Sequence, residues 1–309
     1  MAPAPLSRRE FVLVLAGFAA SCNNFSVPTS NSPIPLNADG SAGIKSPPWS
    51  PYIVIHPDQS AFPGYEKAIK LLQSKGMLKG ARIEVSTDGG AVSTVNLVSR
   101  LGVEVVGLVS NSELFRPDIE NMIDQIVWMY PSASYLQIGN ELTTIIPKDQ
   151  FQMSLEQYMV VFKRVFDYVQ LRHPRLKLIT QSTLGSGEKG PEDLRAMINL
   201  GLNKFPRESV FVGINFYDGE MNAYSSIITN DLNLRVFVME SGIENWSQHI
   251  GYVQVRYPET ATKLRAERIY WYALLDGIGV YTDHSLIKDP QDVLKMTMSP
   301  LMKSLTGEF

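Results

Sequence analysis

Two glutamates in this chain stand where a charge is poorly placed for stability. Glu141 follows the run Tyr135-Leu136-Gln137-Ile138-Gly139-Asn140, and Glu240 follows Val236-Phe237-Val238-Met239. A carboxylate at the end of an apolar run loses hydration, and no local group compensates it, so function explains its presence better than folding does. Brought together across a pocket, two carboxyl groups can break a glycosidic bond. One, kept protonated, assists the leaving oxygen; the other attacks the anomeric carbon or activates water.

Other side chains at the ends of apolar runs could serve the same site. Arg82 lies in Ala81-Arg82-Ile83-Glu84-Val85, where it is either a site residue or a strand-edge partner of Glu84. Tyr217 ends Asn215-Phe216-Tyr217, where it is either a site residue or a rim aromatic with a wet hydroxyl. His56, Gln181, Asn215 and Asp283 are placed to bond sugar hydroxyls. Trp246, just after the second glutamate, is the preferred platform for the apolar face of a sugar ring, with Tyr281 or His284 as further mouth residues.

These residues must be positioned by something, and the pattern of the chain says what. From residue 51 onward, short β-branched runs alternate with segments of helical period, the order of a parallel sheet wrapped by helices. The predicted strands are 52–56, 81–86, 103–109, 135–139, 177–181, 210–216, 235–239 and 277–283. The predicted helices are 65–75, 92–101, 117–129, 155–173, 191–205 and 257–275, with a weaker one at 224–229. In the helix at 155–173, Tyr158, Phe162, Val165, Phe166 and Val169 form one stripe, and Pro174 stops it.

Eight such units in about 260 residues match a single-domain (β/α)8 TIM barrel, an α/β fold whose strand ends converge on one mouth. The competing architecture, an open doubly wound sheet, would want a glycine-rich phosphate turn after its first strand; His56-Pro57-Asp58-Gln59 is no such turn. The eighth strand has two readings. Residues 277–283 are preferred, with Ala261, Leu264, Arg268, Tyr272 and Leu275 on a helical stripe. The alternative places the strand around Trp271.

At these residues the chain resembles the large clan of retaining glycoside hydrolases built on a (β/α)8 barrel, over about residues 51–305. The most specific marker is Asn140-Glu141 after an apolar strand, which in that clan supplies a substrate-binding amide and the acid/base. Glu240 matches the position of the clan's nucleophile on strand seven. Arg82 resembles the strand-two arginine that keeps the nucleophile ionised, and Tyr217 resembles the strand-six tyrosine that bonds it. Many members finish strand eight with a tryptophan under the sugar, a feature that 277–283 lacks. The resemblance implies double displacement on a β-linked oligo- or polysaccharide, without cofactor.

Composition narrows the alternatives. With 44% apolar and 19% charged residues, the 309-residue chain has ample material for a core. Its 28 basic and 31 acidic residues leave no positive footprint for a nucleic acid. His56, His173, His249 and His284 have none of the spacings of a zinc site, so no metal is implied. Two competing functions are a non-catalytic carbohydrate-binding surface lipoprotein on a degenerate barrel, and a lyase or aldolase. The latter would display a strand-end lysine or a metal cluster, and no lysine ends any predicted strand.

Residues 1–22 read as an export signal. Ser7-Arg8-Arg9-Glu10-Phe11 resembles a twin-arginine signal, and the apolar stretch 11–20 is too short to cross a bilayer, which takes about 20 residues. Cys22, the lone cysteine, stands where a lipoprotein signal places its acylated residue, although Ala19 replaces the usual leucine. Residues 23–50, rich in Pro, Ser and Asn, read as a tether to the domain at 51–309. The expected destination is the periplasm, anchored through a lipid on Cys22, or the exterior as a secreted protein. The oligomeric state is left open.

Overall fold

The computed structural model describes residues 49–57, 63–143, 151–183, 188–217, 221–275, 284–290 and 292–308. Eight parallel strands close into a barrel: β1 (Tyr52–Ile55), β2 (Gly80–Val85), β3 (Glu104–Val109), β4 (Ala133–Ile138), β5 (Lys177–Thr183), β6 (Val210–Asn215), β7 (Arg235–Ser241) and β8 (Ala266–Trp271). Closure is made by β8 against β1, with Tyr52 opposite Tyr270 and Ile53 opposite Trp271. That closure excludes the open doubly wound sheet.

A helix follows each strand: α1 (Pro63–Ser74), α2 (Val92–Arg100), α3 (Ile119–Met129), α4 (Leu155–Arg172), α5 (Lys189–Asn199), α6 (Met221–Asn230), α7 (His249–Lys263) and α8 (Pro300–Thr306). The stripe on α4 buries Tyr158, Met159, Phe162, Val165 and Val169, and Ser154 and Gln157 close its N-terminus as a capping box. No helix among the described residues is long and apolar enough to cross a membrane.

The strands are apolar on both faces because both are covered. One set of alternate residues, including Ile53, Ile55, Ile83, Val105 and Val238, packs outward against the helices. The other set, Val54, Val106, Tyr135, Ile179, Phe211, Phe237, Met239 and Tyr270, fills the lumen. At the end opposite the mouth the Arg268 guanidinium lies 4.9 Å from the Tyr52 ring, 4.8 Å from Tyr135 and 4.7 Å from Phe237, and pairs with Glu104. Its charge is met by a carboxylate and by π faces, so a cation can stop the lower lumen.

The eighth strand corrects the sequence reading. It is Ala266–Trp271, not 277–283, and 276–283 lies outside the described residues. The expected helix at 257–275 instead begins at His249 and ends at Lys263. Arg265 then takes φ 48°, which breaks the helical path, and the chain enters the sheet. A six-residue strand is too short to separate a period of 2 from one of 3.6, and barrel closure decides the matter. The expected helix at 191–205 likewise stops at Asn199, with Gly201 at φ 104° before a short 3₁₀ turn.

Candidate active site

Arg82 sits on β2 between Val54 and Val106, both lumen residues, so its side chain enters the barrel. It is almost wholly buried. Nη1 donates to Glu240 Oε1 at 2.6 Å and Nε donates to Gln137 Oε1 at 2.7 Å. Gln137 in turn donates to the Gly139 carbonyl and to Ser182 Oγ, each at 3.0 Å. The guanidinium is therefore fixed in plane by one neutral and one charged acceptor.

Glu240 enters the lumen through an irregularity. Val236 and Val238 face the helices while Phe237 and Met239 face inward, so strict alternation would send Glu240 outward. The register between β6 and β7 shifts: Ile214 pairs with Val238, and the next residue, Asn215, pairs with Glu240. Two residues of β7 thus oppose one of β6, a bulge that turns the carboxylate inward. There it is 9% exposed and accepts from Arg82 and, at 2.8 Å on Oε2, from the Tyr217 hydroxyl. Burial first, then the charge of Glu240, push the Tyr217 phenol well above its ordinary range, so it stays a donor.

Opposite, β4 delivers Asn140 and Glu141 through a bend. Gly139 takes φ 80°, and a Cβ there would stand 2.6 Å from Leu142 Cδ1 and 2.8 Å from Leu114 Cδ1; Glu141 takes φ 48°. A non-glycine residue in the left-handed region costs about 1–3 kcal/mol and persists where its surroundings impose it. Here they do. Asn111 holds the Asn140 backbone from both sides, Nδ2 to its carbonyl and Oδ1 from its N–H, both at 2.8 Å. Glu141 N–H donates to the Ser182 carbonyl, and Leu142 N–H donates to Gln181 Oε1 at 2.8 Å.

The two carboxylates are joined through amides. Asn215 Nδ2 donates to Glu141 Oε1 at 2.7 Å and to Asn140 Oδ1 at 3.2 Å, and Asn140 Nδ2 reaches Glu240 Oε1 at 3.5 Å. Burial, reinforced by the charge of Glu240, raises the Glu141 carboxyl to about 7, against the opposing pull of Asn215 and Arg82. The environments of the two acids differ in kind: Glu240 faces a guanidinium and a phenol, whereas Glu141 has one amide.

The structure thus brings Glu141, Glu240, Asn140, Arg82, Tyr217 and Asn215 together. His56, after β1, joins the rim with its ring 5.6 Å from Tyr272, edge-on. Trp246, in the segment after β7, donates its indole N–H to the Ser285 carbonyl at 2.6 Å and has Lys288 Nζ 4.4 Å over its ring, so it braces the segment after β8. Gln181 spends its oxygen on Leu142 N–H and supports the Glu141 loop. Tyr281 and Asp283 lie outside the described residues.

Trp271 is on β8 but turned outward, fully buried against His249 at 4.7 Å with its N–H on the His284 carbonyl. The next residue, Tyr272, takes the mouth position, half-buried, 6.4 Å from the Tyr217 ring and 6.2 Å from His284, and its peptide bond to Ala273 is cis. Tyr272 and Asn111 were missed in the sequence. Alternation along a correctly placed β8 would have revealed Tyr272, while Asn111 reads as an ordinary turn residue.

The polar atoms buried without a partner among the described residues include Arg82 Nη2, Asn215 Oδ1 and His56 Nε2 beside the cluster. They offer a donor, an acceptor and an imidazole nitrogen. No group of three or more His, Cys, Asp or Glu residues among the described residues is arranged to hold a metal ion.

No protein-family model and no curated protein sequence matches this chain. Its fold is found among solved structures. An exo-β-1,3-glucanase of GH128 subgroup VI from Aureobasidium namibiae superposes with a TM-score of 0.55 at 12% identity, over 83% of this chain and 96% of the other. A β-mannanase from Thermomonospora fusca, in complex with mannohexaose, gives 0.53 at 12% identity, over 84% and 89%. SrfJ from Salmonella typhimurium gives 0.62 at 10% identity, over 82% and 73%. At such identities the likeness is one of fold: this chain has a (β/α)8 barrel shared with glycoside hydrolases.

Proposed function

We propose that this protein is a retaining glycoside hydrolase acting on a β-linked glycan, with Glu240 as nucleophile and Glu141 as acid/base. The observation that carries the reading is the asymmetry of the two carboxyls: one is aimed by Arg82 and Tyr217, and the other is raised to about 7 beside it. A pair of acids whose surroundings push them apart is the arrangement that assigns such roles.

In the first step a Glu240 oxygen bonds to the anomeric carbon as the glycosidic C–O bond breaks, and Glu141 gives its proton to the departing oxygen. Glu240 is then an ester and carries no charge. The repulsion that helped raise Glu141 is gone, so its carboxylate can take a proton from water while the hydroxyl oxygen displaces Glu240. Arg82 Nη2, Asn215 Oδ1 and His56 Nε2 would bond sugar hydroxyls, and Tyr272 would lie under the ring.

A panel of aryl β-glycosides and β-linked polysaccharides tests the reading, followed by labelling with a 2-fluoro glycoside of the sugar that is cleaved. Mass spectrometry should place the covalent sugar on Glu240. Glycan binding without product would instead support the non-catalytic alternative. We further propose that the chain is exported and lipid-anchored through Cys22, which incorporation of a labelled fatty acid, lost in Cys22→Ala, would test.

A further inference from the structure

Phe115 and Phe151 are large apolar side chains left 43% and 38% exposed, with ring centroids 5.7 Å apart. They belong to the segments that follow β3 and β4, at the strand ends that carry the catalytic candidates. We infer that this ring pair is a second sugar-binding patch, which holds a glycosyl unit of the chain whose scissile bond lies between Glu141 and Glu240. The inference rests on the proposed glycosidase reading and deepens it toward oligosaccharides that extend past the cleaved bond.

Three observations support the assignment. The first is continuity with the site. Phe115 ends the 3₁₀ turn Asn111–Phe115, whose first residue clasps the Asn140 backbone, and two residues after Phe151 the Met153 N–H donates to the Leu142 carbonyl. Both rings are therefore tied to the backbone on either side of Glu141.

The second is rigidity. Buried Glu113, in the same turn, accepts from Thr87 N–H and Oγ1, each at 2.7 Å, while Arg116 bonds Thr87, Glu113 and Asp118. On the other side Ser154 and Gln157 cap α4 just after Phe151. A platform held in place before binding loses little freedom when a sugar arrives. The third is chemistry: exposed π faces cost solvation, and the apolar C–H faces of a pyranose ring are a complementary surface.

The test uses the full chain with Phe115→Ala, Phe151→Ala and the double variant. Initial rates are read on mannohexaose and on the β-1,3-linked glucose hexasaccharide, and on the p-nitrophenyl β-glycosides of the same sugars. The expected result is that the ratio of kcat/KM on the cleaved hexasaccharide to that on its aryl glycoside falls about tenfold in the double variant, mainly through KM. A ratio within twofold of the parental one overturns the patch.

If the parental chain cleaves none of these and none of the wider panel of β-linked substrates, the glycosidase reading fails. The patch is then judged by affinity electrophoresis in gels containing soluble β-1,3-glucan or β-1,4-mannan. Retardation of the parental chain that the double variant loses supports it, and equal migration of the two overturns it. Should the double alanine variant not fold, the double leucine variant, which keeps apolar bulk without a π face, is measured in its place.

Discussion

Asn215 stands in register with Glu240 although its predecessor Ile214 pairs with Val238, which leaves Met239 without an opposite residue. This single skipped position turns a glutamate that alternation directs at the helices into the lumen, where Asn215 also reaches the other acid, Glu141. The bulge is thus a condition for the two carboxylates to share one mouth.

An inward carboxylate needs its cation. Arg82 and Glu240 side chains are 3% and 12% exposed, so removing the guanidinium leaves a buried charge uncompensated. Arg82→Met should destabilise the fold by about 3 kcal/mol in urea unfolding. Adding Glu240→Gln should restore part of that loss, because the orphaned charge goes with it. Additive losses would show that the two do not act as a pair.

The raised Glu141 gives two pH signatures. In the role of general acid proposed for it, Glu141 must be protonated, so kcat/KM should fall as pH rises through about 7, and the residual rate of Glu141→Gln, down roughly 10²- to 10⁴-fold, should lack that limb. Stability follows the same proton. A carboxyl whose folded value lies above its unfolded one binds a proton more tightly when folded, so its contribution is present at low pH and declines between the unfolded value, about 4.3, and about 7. Thermal melts should show Glu141→Gln gaining stability over the parent at pH 8 and not at pH 4.

Asn111 bonds the backbone of Asn140 and sets the bend that carries two of the candidates. Asn111→Ala removes both bonds to the Asn140 backbone, a loss of about 1–3 kcal/mol. It should lower kcat more than it changes KM, since it misplaces Glu141 rather than the binding surface. Equal effects on both parameters would mean that it acts only on overall stability.

Tyr272 and Trp271 are neighbours with opposite roles. Tyr272→Ala should raise KM with modest change in melting temperature, while Tyr272→Trp, which keeps a π face, should retain most activity. Trp271→Ala empties a fully buried position and should cost about 3–5 kcal/mol.

Much of the scaffold was legible because fully covered strands write near-continuous apolar runs. Strands β1 to β7 and the stripe on α4 follow from that pattern. The Asn140-Glu141 pair and the Glu240 run-end were legible as candidates because nothing in folding asks for them, and the structure brings them together at one end of the barrel. Other features were not legible. The run Ile269-Tyr270-Trp271 fits either period, and only the need to close against β1 selects the strand. The inward aim of Glu240 depends on a register shift, which no single strand encodes. For Trp246, sequence shows an aromatic near a run-end glutamate but neither the lysine that lies over its ring nor the carbonyl that holds its N–H.

The ion pair of Arg268 with Glu104, set among Tyr52, Tyr135 and Phe237, gives the molecule a keel far from its chemistry. With cohesion anchored there, the loops at the opposite end are freed from holding the barrel together. Laboratory evolution toward a new ligand can therefore randomise the rim around His56, Phe115 and Tyr272 and still recover folded progeny, provided the lower lumen is left untouched.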